Sequence, residues 1–189
     1  MKRIKYSDYY KKRTVLSGKG NAFKDEYIYT GDYFRFENDR KQDVRLKAKI
    51  LAIAAVSLIL YISGGFIDTG GSRVFYVLLP FVFAFLPLAF LLIAAFQFAV
   101  KHGDFTVFDY ERIWLRLKRT GIASVCLLGI SILGEIIFFS INFSHISVIK
   151  ETGFMMFCSV IVFLDLMLIR IHAKTACIQK SNDVKKETG

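Results

Sequence analysis

Two acidic residues lie inside long apolar runs. Glu135 falls in "GIASVCLLGISILGEIIFFSINF" and Asp165 in "GFMMFCSVIVFLDLMLIRIH". A carboxylate at the centre of an apolar span costs about 2.5–3.5 kcal/mol by insertion scales. Such a group must be protonated, hydrogen-bonded or matched by a cation. The chemistry open to these residues is therefore proton or cation binding, or hydrogen bonding that ties helices together. Ser124, Ser131 and Glu135 share one helical face, and Cys158, Asp165 and His172 share another. Counted from Gly153, Asp165 lies about 18 Å along its helix, and Glu135 lies about 12 Å from Phe143 along the preceding one. In adjacent antiparallel helices the two carboxyls overlap in depth, so Glu135, Asp165, Ser131 and Ser124 are the expected intramembrane polar site.

The elements that must position them are long. The chain of 189 residues is 54% hydrophobic, above the 45–50% usual for a soluble domain. Four blocks are apolar enough to span a bilayer: 48–66, 74–100, 121–143 and 153–172. The second block carries both prolines, Pro80 and Pro87, which predicts kinks. The third is rich in Gly, Ala and Ser, which lets helices approach closely. The expected fold class is an all-α membrane protein, a four-helix transmembrane bundle, with a short N-terminal cytoplasmic β-hairpin and an interfacial amphipathic helix. Segment 1–47 is expected to be cytoplasmic, 48–172 the transmembrane domain, and 173–189 a frayed cytoplasmic tail.

Orientation follows from charge. Of the 26 Lys and Arg residues, all but Arg73 and Lys150 fall in segments 1–49, 101–119 and 170–189. Basic residues concentrate on the cytoplasmic side of spans, so both termini are expected inside. The net charge of +10 is then a topology signal, with added attraction to anionic headgroups. No nucleic-acid recognition motif accompanies it. The first 47 residues are polar and hold no short apolar leader, so the first block is expected to act as the insertion signal.

Two flanking segments are patterned. "DEYIYTGDYFRFEND" alternates aromatic and polar residues around a Thr-Gly-Asp break, which predicts a β-hairpin over 26–37. Its Tyr27, Tyr29, Tyr33, Phe34 and Phe36 are candidates for docking a partner or resting on headgroups. In "KHGDFTVFDYERIWLRLKRT", Thr106 and Asp109 have the spacing of a helix cap, and Tyr110, Ile113, Trp114 and Leu117 make one apolar stripe. This predicts a helix over 107–119 lying in the membrane interface or docking a partner. Trp114, Arg112, Arg116, Lys118, Arg119, Arg170 and His172 are the expected interfacial anchors.

No HExxH, GxSxG, P-loop, GxGxxG or CxxC pattern occurs. Cys126, Cys158 and Cys177 match no redox or zinc spacing and are expected to pack as small apolar residues. His102, His145 and His172 fall at different levels and do not cluster as metal ligands. No catalytic residue, metal or cofactor is therefore expected. The expected function is that of a small multi-pass protein acting as a non-enzymatic accessory or assembly subunit of a larger membrane complex. Its partners would be the bilayer and a membrane protein or a second copy, with no nucleic acid. The alternative is a homo-oligomeric transporter or channel coupling protons or cations through Glu135 and Asp165.

Overall fold

A computed structural model describes residues 10–16, 23–31, 33–36, 40–101, 103, 105–142, 147–175 and 177–180. Phe143, His102, His145 and the tail beyond 180 lie outside the described residues, as do the side chains of Tyr27, Phe36 and Cys177. The chain is mostly helical, with four helices long and apolar enough to cross a membrane. They are α1 (Arg40–Gly65), α2 (Phe75–Val100), α3 (Val107–Asn142) and α4 (Val148–Lys174). A helix satisfies its backbone polar groups internally, as a chain crossing hydrocarbon would have to.

Each helix packs on its sequence neighbour, and α1 also packs on α4. The result is a closed antiparallel bundle. Large apolar side chains such as Ile59, Phe83, Phe90, Leu133 and Phe163 are exposed, while Ser57, Ser124, Ser131, Glu135, Glu151 and Asp165 are buried. Polar inside and apolar outside is the arrangement expected of a multi-pass protein solvated by lipid.

α2 stays helical through Pro80 and Pro87. Two contacts from α3 meet it near the first proline. Ser131 donates to the Val77 carbonyl at 3.1 Å, and a Cβ on Gly134 would lie 3.0 Å from the Tyr76 carbonyl oxygen. Tyr76 is also the residue whose helical donor Pro80 removes. Ser131 and Gly134 of α3 therefore serve contact with α2 of the same chain.

Strands gather at the end of the bundle where α1 starts and α4 stops, here the sheet end. They are β1 (Tyr10–Leu16), β2 (Phe23–Tyr29), β3 (Tyr33–Phe36), β4 (Phe105–Thr106) and β5 (Cys177–Lys180). Among the described residues the expected 26–37 hairpin does not form. β2 pairs antiparallel with β1, from Tyr10↔Tyr29 to Leu16↔Phe23. β3 instead lies between β4 and β5, with Phe34 opposite both Phe105 and Gln179. The longer register satisfies more of β2's backbone than the four-residue β3 offers, and β3 gains ladders on both edges. The segment after His172 is correspondingly not all frayed, since β5 is tied into this sheet.

The second correction concerns 107–119. It is not a separate helix lying across the bundle but the first turns of α3, which runs 36 residues without a break. Thr106 caps its start, accepting from the Asp109 amide at 3.2 Å, as the spacing predicts. A π-helical turn over Tyr110–Leu115 follows. Nothing between Leu117 and Gly121 breaks the helix, and the Thr120 hydroxyl folds back onto the Arg116 carbonyl at 2.9 Å.

The candidate functional site is two buried carboxyl centres

Asp165 sits on the inward stripe of α4 with Phe154, Cys158, Ile161 and Leu168. It is fully buried, and its two oxygens are both engaged. Ser57 of α1 donates to Oδ1 at 3.1 Å, and Ser124 of α3 donates to Oδ2 at 2.5 Å. One carboxyl thus joins three helices. Ser124 belongs to the expected site; Ser57 does not. Its signal was available, because Ile50, Ala54, Ser57 and Tyr61 recur at three- and four-residue steps along α1.

Glu135 does not join this centre. It lies 11 residues along α3 from Ser124, about 16 Å. Between the two levels the inward positions are Leu128 and Ser131 on α3 and Phe154, Cys158 and Ile161 on α4, all buried. The expected approach of Glu135 to Asp165 is therefore corrected: antiparallel helices overlap in depth only to within a few turns, and the stagger separates these two.

The neighbour of Glu135 is Glu151 of α4. Glu151 falls outside the expected 153–172 block, because the apolar run starts at Gly153, whereas α4 starts at Val148 and turns Glu151 inward. The pair lies at the end opposite the sheets, beneath the connection from α1 to α2. There the Gly70 amide donates to Glu151 Oε1 at 2.7 Å. Gly71 lies so close to the Glu135 carboxyl that a Cβ there would overlap it. The turn is closed by its own bonds, Ser72 N to Thr69 Oγ1 at 3.0 Å and Val74 N to Gly71 O at 3.0 Å. Both oxygens of Glu135 and Oε2 of Glu151 are buried and lack a hydrogen-bond donor among the described residues.

The expected interfacial and docking residues divide. Trp114 is not an anchor facing lipid: it is 2% exposed, stacked on His172 at 4.2 Å and tilted against Phe98 at 5.1 Å. His172 also meets the Trp114 carbonyl through Nε2 at 3.1 Å. An apolar stripe cannot distinguish lipid from protein as its cover, and here the cover is α2 and α4. Arg112, Lys118, Arg119 and Arg170 are exposed and Arg116 is half-buried; Arg112 lies 5.6 Å from the Phe108 ring centroid. Tyr29, Tyr33 and Phe34 are half-buried in internal contacts. Tyr29 Oη accepts from the Val107 amide at 3.0 Å, and its ring meets Tyr10 and Tyr33 edge-on. Phe34 stacks on Tyr110 at 4.4 Å. These aromatics hold the strands onto the bundle.

The sheet end is also cross-linked by charge. Lys47 bonds the Lys101 carbonyl at the end of α2 at 2.8 Å and pairs with Asp43 at 2.8 Å. Lys101 pairs with Asp109 at 2.7 Å. Two open clefts flank these residues, about 590 Å³ beside Asp43 and Lys47 and about 410 Å³ beside Lys101 and Arg112. Among the described residues no three His, Cys, Asp or Glu side chains converge as a metal site. Comparison with family models, with curated proteins and with solved structures returns no match.

Proposed function

We propose that this chain is a non-enzymatic accessory or assembly subunit of a membrane complex, with both termini cytoplasmic and the sheet end as its docking face. The observation that carries this reading is the composite sheet. Strands from the N-terminal segment, the α2–α3 connection and the C-terminal segment meet at one end of the bundle. The order β4-β3-β5 leaves β5 as an edge strand, and an edge strand is a template for pairing with another chain. The two clefts at the same end add concave surface. The charge distribution supports a cytoplasmic placement of that end.

The interior supports a subunit over a lone flux pathway. Asp165 has both oxygens bonded to serines, as interhelical glue requires. Buried Leu128, Phe154, Cys158 and Ile161 intervene between it and Glu135, and the one hydroxyl at these levels, Ser131, is bonded to the Val77 carbonyl, so no continuous run of polar side chains links the two among the described residues.

The test is photo-crosslinking in native membranes from position 10, where Tyr10 is 47% exposed on β1. A single crosslinked protein of another sequence is expected. Crosslinks only to lipid or to further copies of the chain contradict the reading.

A further inference from the structure

We propose that Glu135 and Glu151 form a proton-binding dyad that latches the 69–74 turn onto the bundle, closed when one proton is shared between the carboxyls and open when it is lost. Glu135 is 0% exposed and Glu151 is 1% exposed. Three of their four oxygens are buried without a donor among the described residues. Two ionised carboxylates cannot share such a site without a counter-charge, because like charges and desolvation both oppose it.

The charged and titratable groups around the dyad supply no counter-charge. Arg73, in the turn, is 76% exposed and lies 3.4 Å from Asp68. Lys150, on α4, is exposed. Neither Tyr76 on α2 nor the buried Cys158 on α4 can carry a positive charge. No Lys, Arg or His pairs with either glutamate among the described residues. A divalent cation would need several further oxygen ligands, and on the turn side the Gly71 backbone packs directly against the Glu135 carboxyl. A proton needs no such ligands. It lets one carboxyl donate to the other, while the Gly70 amide and the tight turn stabilise the remaining negative charge.

The turn is built to report the proton. Gly70 contacts Glu151, and Gly71 contacts Glu135, so consecutive residues each rest on one member of the dyad. When the shared proton leaves to solvent, two adjacent anions remain beneath the turn. The nearest relief is for the turn to lift and admit water.

The experiment is infrared titration of the full chain in lipid bilayers, with Asp165→Asn to remove the other buried acid and a spin label at position 73. The expected result is a carboxylic-acid carbonyl band at neutral pH. Raising the pH should abolish it over the same range in which the label gains mobility. In the Glu135→Gln/Glu151→Gln chain, where glutamine still accepts from the Gly70 amide, both changes should vanish. A band that survives in that chain, the absence of any titrating band, or a label whose mobility ignores the titration overturns the proposal. Band and label are read in parallel on the Asp165→Asn chain alone, which decides the matter even where the double variant fails to assemble.

Discussion

Ser124 of α3 donates to Asp165 of α4 at 2.5 Å while Ser57 of α1 occupies the other oxygen of the same carboxyl. Asp165→Leu leaves both hydroxyls without their acceptor and should lower stability in mild detergent by about 2–4 kcal/mol. Asp165→Asn keeps one oxygen and should cost about 1 kcal/mol. Thermal unfolding of the two variants checks the order. A double-mutant cycle with Ser124→Ala should show coupling, whereas Ser140→Ala, whose hydroxyl bonds within its own helix, should not couple to Asp165 at all.

Gly71 and Glu135 compete for one volume. Gly71→Ala should lower the melting temperature, because the added methyl displaces a fully buried carboxyl. Shortening the partner in Gly71→Ala/Glu135→Ala should recover most of that loss. Equal melting temperatures for Gly71→Ala and the parent chain would show that the turn does not press on the dyad.

Trp114 is the only tryptophan in the chain, and its indole stacks on the His172 ring at 4.2 Å. Its emission should be that of a buried indole and should fall when His172 takes up a proton at acid pH. His172→Gln should remove the acid-side fall, and Trp114→Ala should cost about 3–5 kcal/mol. Emission typical of a lipid-interface or wet indole would contradict the packing.

Tyr29 fastens the β1–β2 hairpin to the start of α3 through its hydroxyl. Tyr29→Phe should leave the bundle intact, cost about 1 kcal/mol locally, and raise hydrogen exchange at 23–29 and at the Val107 amide. Unchanged exchange there would mean that the hairpin is held by other contacts.

Much of the bundle was legible because spanning helices are written as continuous apolar blocks, and the cap at Thr106 and Asp109 because it is local. What was not legible depended on partners distant in sequence. Tyr33–Phe36 has the same alternation whether it pairs with Phe23–Tyr29 or with Phe105–Thr106 and Cys177–Lys180. The stripe of Tyr110, Ile113, Trp114 and Leu117 fits lipid or protein equally well. Asp165 and Ser124 stood out as polar residues in oil, whereas their third member, Ser57, is marked only by its place on the stripe of Ile50, Ala54 and Tyr61. Glu151 was missed because helices extend beyond their apolar runs, and one added turn carried a loop residue into the interior.

The central claim is that the chain works as part of a larger assembly docked at the sheet end. The direct measurement is the native mass of the tagged particle extracted from its own membranes, for the full chain and for a chain ending at Thr175, which lacks β5. The account predicts a complex containing a second protein in fixed ratio, lost on truncation while the bundle keeps its helical content. Particles that hold only copies of this chain, in the same number for the full and the shortened chain, would contradict it.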